Sequence, residues 1–111
     1  MPKTQALRLD DTILHRTSIV VPVYRGEKTL PTLIQEFVPA TIEQATPDGH
    51  HFVVSEVLLV HDCGPDRSDQ ALEVLSAQYS FVRPVWLSRN YGQHAATLAG
   101  MASATGDWVV T

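Results

Sequence analysis

Three polar stretches in this chain each follow directly on a short apolar run, and together they hold most of the residues able to do chemistry. Pro22 to Glu27 closes the run Ser18–Tyr24, His61 to Asp66 follows Val57–Val60, and Ser88 to Gln93 follows Val82–Leu87. Open parallel α/β sheets bind ligands in the crevice beyond the carboxyl ends of their strands, so three such stretches along one edge suit a nucleotide. No Gly-x-Gly-x-x-Gly follows the first run and no Gly-x-x-x-x-Gly-Lys occurs, so neither the dinucleotide fingerprint nor a P-loop is present. Phosphates would have to be held in some other way.

The elements that must position these stretches can be read from periodicity. Ser18–Tyr24 is β-branched with apolar residues on both faces, as in a strand covered by helices on each side. Leu30, Leu33, Ile34, Phe37 and Val38 share one helical face, so a helix is expected from about Lys28, with Pro31 tolerated in its first turn. Pro39 should bend or end it, Thr41 to Ala45 could resume it, and Thr46-Pro47-Asp48-Gly49 should turn the chain. Ser68 is placed to cap a second helix, which buries Ala71, Leu72, Leu75 and Tyr79, while Asp69 suits its positive end.

A third helix, Gln93 to Ala104, carries so many Ala and Gly residues that its backbone must lie close to the sheet or to another helix, and Gly106 is expected to stop it. Asp107 to Thr111 forms the fourth strand-like run. Right-handed crossovers then give a Rossmann-like, doubly wound parallel sheet of strand order 3-2-1-4, with its switch point between strands one and four. Residues 1–16 have no firm period and form an N-terminal leader; residues 17–111 form the sheet-bearing part. Because the chain stops where the chemistry after strand four should begin, it reads as a fragment.

Composition narrows the functional classes. Of 111 residues, 44% are hydrophobic and 18% charged, which fits one small globular domain. A formal charge of −4, with Lys and Arg scattered, gives no footprint for nucleic acid. One cysteine and five histidines without finger spacing exclude a disulfide framework or structural zinc, which fits a cytoplasmic setting. No apolar run reaches the roughly 18 residues of a membrane span, so membrane contact would come through downstream sequence or a lipid-linked acceptor.

At residue level the chain resembles the family 2 nucleotide-sugar glycosyltransferases of GT-A fold, in the branch similar to dolichyl-phosphate mannose synthase and bacterial polyprenyl-phosphate glycosyltransferases. The resemblance rests on Val20-Val21-Pro22-Val23-Tyr24 with Glu27, on Val60-His61-Asp62-Cys63-Gly64-Pro65-Asp66-Arg67-Ser68, and on Leu87-Ser88-Arg89-Asn90-Tyr91-Gly92-Gln93 leading to Gly106-Asp107. It covers residues 17 to 111.

That resemblance implies a UDP- or GDP-linked sugar as partner. Tyr24 would lie against the base, Pro22 and Val23 would line its pocket, and Asp62 would accept the ring N–H of uracil or guanine. Stacking a base on an aromatic ring is worth roughly 1–3 kcal/mol, and a hydrogen bond to a carboxylate about 1.5–3 kcal/mol. Arg89, Asn90 and Gln93 would contact the sugar nucleotide, a guanidinium being suited to phosphate oxygens. Glu27 is a further candidate, although the helix dipole also accounts for a carboxylate there.

The resemblance also implies Mg²⁺ or Mn²⁺ in the complete enzyme, held by an Asp-x-Asp motif after strand four. Neither that metal site nor a catalytic residue falls within this chain. Asp66, Asp69 and Asp107 are read as loop, helix-start and strand-entry residues, and Cys63 as a small loop residue. His61 stands where the family usually has Asp or Asn, and Arg25-Gly26 replaces its common Asn-Glu. The complete protein would transfer a sugar by an inverting single displacement, to a polyprenyl phosphate or a cell-envelope glycan. The competing reading is a non-catalytic α/β docking or signalling module.

Overall fold

The computed structural model describes residues 6–7, 13–62, 68–89 and 92–111. In chain order the elements are β1 (Ala6–Leu7), β2 (Ile13–Val23), α1 (Leu30–Phe37), a 3₁₀ turn (Val38–Thr41), β3 (Gln44–Ala45), β4 (His51–His61), α2 (Ser68–Gln78), β5 (Val82–Trp86), α3 (Gln93–Ser103) and β6 (Trp108–Val110). Strands β5, β4, β2 and β6 pair in that order, every pair parallel. This is the expected 3-2-1-4 sheet.

Two short antiparallel additions extend it at the strand starts, with β1 on β2 and β3 on β4. Strand β2 begins at Ile13 and β4 at His51, earlier than the apolar runs suggest, because Leu14 pairs with His51, His15 with Phe52 and Arg16 with Val53, continuing the ladder through a mixed polar and apolar stretch. His15, Arg16 and His51 there owe their extended state to the partner strand more than to any local preference. Expected helical resumption at Thr41 to Ala45 does not occur: after Pro39 the chain makes the 3₁₀ turn and Gln44 and Ala45 then pair with Phe52 and His51. Helix α1 starts at Leu30, where the Thr29 and Leu30 amides donate to the Gly26 carbonyl.

Strand alternation divides the core in two. Val23, Val57, Leu59 and Val82 face α1 and α2, meeting Leu30, Ile34, Leu72 and Leu75, while Ala71 and Tyr79 pack at the margin. Val20, Leu58 and Val60 face α3, where Ala96 and Ala104 meet them. The small residues of α3 let it descend onto the sheet: a Cβ on Gly100 would collide with Val20 Cγ1 and come within 2.9 Å of Val60 Cγ2.

Gly106 does not stop that helix. Helix α3 ends at Ser103 with Ala104 already extended, and Gly106 serves instead to bring the chain against β2, since a Cβ there would lie 2.7 Å from the Arg16 carbonyl oxygen. Asp107 enters β6 as expected, its amide donating to Arg16 O at 2.6 Å and its Oδ2 accepting from Arg16 N at 3.0 Å.

The α3–β6 connection is tied down by a carboxylate inside the sheet. Glu56, only 4% exposed, accepts from Ser18 Oγ at 2.6 Å, from the Thr105 amide at 2.7 Å and from the Thr105 hydroxyl at 3.0 Å, and Arg83 donates to its other oxygen. Ser18 Oγ in turn accepts from the Gly106 amide at 2.8 Å. Burial pushes the Glu56 carboxyl up, but the donors from Ser18, Thr105 and Arg83 outweigh it and hold the group at about 2.

Two outcomes follow from this packing. Gly100→Ala should destabilise the fold by about 1–3 kcal/mol in urea unfolding, since overpacking outweighs the roughly 1 kcal/mol gain in helix propensity. Because Glu56 has a folded pKa below its ordinary value of 4.5, its contribution is complete above pH 4.5 and is lost as pH falls towards 2. Glu56→Gln should flatten that acid limb and lower stability at pH 7, both readable from thermal melts across pH.

Candidate functional site

Helices α1 and α2 cross on one face and α3 on the other, so the sheet changes winding direction between β2 and β6. The carboxyl end of β2 therefore opens into a crevice on the α3 side. Alternation in β2 sends Val20 towards α3, and Pro22 and Tyr24 follow at the same period. In β4, Leu58 and Val60 point the same way and Asp62 comes next in that series.

Pro22, Val23, Tyr24, Asp62, Gly92 and Gln93 line a cleft of about 440 Å³ at this position. Tyr24 is 43% exposed, whereas Asp62 is 3% exposed. Among the described residues, the Asp62 amide donates to Val23 O at 2.9 Å, and its Oδ2 accepts from the Gly92 amide at 3.1 Å. Gly92 precedes α3 with φ 93° and ψ 163°, a backbone state open essentially to glycine alone. The carboxylate thus sets where α3 begins, and the start of that helix brings its positive dipole end to the cleft wall.

Pro22, Val23, Tyr24, Asp62 and Gln93, five of the residues selected from sequence, meet in this cleft. Glu27 does not join them, since it lines a separate depression of about 320 Å³ between α1 and α2 with Pro31, Gln70 and Val74. Arg89 is exposed on the loop after β5, and Asn90, with Cys63 and Asp66, lies outside the described residues. Gly92 is the cleft residue that sequence reasoning missed; its signal was a glycine in a polar strand-end loop directly before a helix. His61 is turned to the opposite face, 8% exposed, with its ring 5.3 Å from that of Trp86 and no hydrogen bond at Nε2.

An apolar wall, a half-exposed aromatic ring and a buried carboxylate make this cleft able to hold a flat ring that carries an N–H donor. Among the described residues no group of three or more His, Cys, Asp or Glu could hold a metal ion. No described helix is long and apolar enough to cross a membrane.

Comparison with known proteins decides the family, because residues 18–111 match the family described as glycosyl transferase family 2. The chain belongs to that family. It is similar to the undecaprenyl-phosphate 4-deoxy-4-formamido-L-arabinose transferase of Pectobacterium carotovorum, at 38% identity over 93% of this chain and 29% of that protein. The enzyme of the same description from Pseudomonas aeruginosa is 42% identical over 85% of this chain and 26% of its own length. The chain thus spans under a third of the curated relatives it matches.

Among solved structures, residues 1–349 of S. aureus TarS superpose with a TM-score of 0.62 at 26% identity, covering 85% of this chain and 26% of that one. Mannosyltransferase PcManGT from Pyrobaculum calidifontis, solved with GDP-Man and Mn²⁺, gives a TM-score of 0.60 at 24% identity, covering 96% of this chain and 29% of that one. Both likenesses agree with the family 2 fold, a mixed α/β sheet of GT-A type.

Gly92→Ala should cost about 1–3 kcal/mol in urea unfolding, because its backbone state admits no Cβ without strain. The same substitution should detach the start of α3 from Asp62, seen as faster amide hydrogen exchange over residues 93–96.

Proposed function

We propose that residues 17–111 form the donor-binding part of a family 2 glycosyltransferase and that the cleft at the end of β2 takes the base of a UDP- or GDP-linked sugar. The observation that carries this is the meeting of Tyr24 and Asp62, remote in sequence, in one cleft beside the switch point. Tyr24 offers a stacking surface, Pro22 and Val23 an apolar floor, and the Asp62 carboxylate accepts the ring N–H. Gln93 and Arg89, at the start of α3 and on the loop before it, face the sugar and its phosphates in this reading, with Asn90 between them.

For the whole protein we propose transfer by inversion, in which an acceptor oxygen attacks the anomeric carbon as the nucleoside diphosphate leaves. The relatives named for undecaprenyl phosphate favour a polyprenyl phosphate acceptor, and with it work at the cytoplasmic face of a membrane. A divalent Mg²⁺ or Mn²⁺ would neutralise the leaving diphosphate in that reaction. The described residues offer no ligand cluster for it, so no step here is assigned to the metal. Glu27, in its separate depression, is given no part in donor binding.

Calorimetric titration of the chain with UDP and GDP tests the base site. Tyr24→Ala should weaken binding about tenfold, the loss of one stacking contact. Asp62→Asn keeps an oxygen for the Gly92 amide but turns an N–H towards the base. It should abolish measurable binding while leaving the melting temperature nearly unchanged. Full affinity retained in Asp62→Asn would refute base recognition by this residue.

A further inference from the structure

The cleft lining contains a carboxylate, Asp62, and no cation among the described residues, yet a nucleoside diphosphate brings two or more negative charges. The helix start at Gly92 supplies only about half a positive charge. One guanidinium, outside the lining itself, sits beside a ring that lines the cleft. Arg25 follows Tyr24 directly, and its Cζ lies over the Tyr24 ring at 5.6 Å from the centroid. It makes no ion pair with any described carboxylate.

Its position is fixed by its neighbours. Val23 is 3% exposed in the α1-facing core, and Gly26 is buried with its carbonyl accepting the first amides of α1. Arg25 therefore projects from a backbone held on both sides, with its guanidinium carbon over the ring of Tyr24, which lines the cleft. A cation held by a ring face keeps its five N–H donors for an anion, and guanidinium geometry matches phosphate oxygens in pairs.

We propose that Arg25 is a phosphate-contacting residue of this cleft, grasping the diphosphate of a nucleotide whose base lies on the Tyr24–Asp62 side. The assignment rests on the nucleotide reading above.

Paired titrations with nucleoside and nucleoside diphosphate (uridine and UDP, guanosine and GDP) test it in the intact chain. The diphosphate should bind wild type about ten- to hundredfold more tightly than the nucleoside, as one charge-assisted contact allows. Arg25→Gln should remove most of that increment while nucleoside affinity stays within about twofold, and Arg25→Lys should restore part of it. The wild-type increment should also shrink with added NaCl, and that salt dependence should weaken in Arg25→Gln.

Equal losses for nucleoside and diphosphate would overturn the proposal by showing that Arg25 only braces Tyr24. An unchanged increment would overturn it as well, as would an equal loss in Lys28→Gln, which alters net charge nearby in the same way. Wild type binding neither ligand would sink the nucleotide reading itself, whereas nucleoside binding with an unaltered Arg25→Gln increment would sink this assignment alone.

Discussion

Helix α3 is held to the sheet at both ends by carboxylates projecting from one strand, and the cleft depends on that double attachment. Glu56 within β4 takes the Thr105 amide just past the helix end. Asp62, immediately beyond β4, takes the Gly92 amide just before its start. At about 3.3 Å per strand residue, the distance from Glu56 to Asp62 is about 20 Å. The mostly helical stretch from Gly92 to Thr105, at about 1.5 Å per residue, covers nearly the same length. Strand and helix match, so both ends can be satisfied at once, and Gly100 lets the helix settle between them on Val20 and Val60.

The two carboxylates do different work. Glu56 is nearly enclosed and answered by donors from β2, β5 and the α3–β6 connection, which makes it a structural junction between four elements. Buried charge of that kind is costly unless every oxygen is met, and here both are. Asp62 spends a hydrogen bond on Gly92 and still borders the cleft. One side chain thus fixes the helix start and lines the cleft, which ties the shape of the cleft to the attachment of α3. Preorganisation of this sort lowers the ordering cost of binding.

Much of the fold was legible in sequence because period and punctuation are local. Ser18–Tyr24 and Val57–Val60 announce strands buried on both faces, the spacing from Leu30 to Phe37 announces α1, and the Ala-rich run announces a helix lying close on the sheet. Chain order and crossover handedness then nearly fix strand order. What stayed hidden was the N-terminal half of β2 and β4, where His15, Arg16 and His51 are extended because each strand completes the other's ladder. Gly106 hides its role for a related reason, since its constraint is the nearness of β2 and not the termination of a helix.

The candidate site divides in the same manner. The residue types themselves, a tyrosine and an aspartate at two strand ends and a glycine before a helix, are properties of the sequence, as is the family they indicate. Which of them share a cleft was decided by alternation about the sheet: Pro22, Tyr24 and Asp62 belong to the α3 face, His61 falls on the other, and Glu27 lies between α1 and α2. A one-residue step along a strand reverses the face, and a local motif does not record where the covering helices lie. Sequence therefore set the chemistry available at the rim, while tertiary packing selected the part of it that can act together.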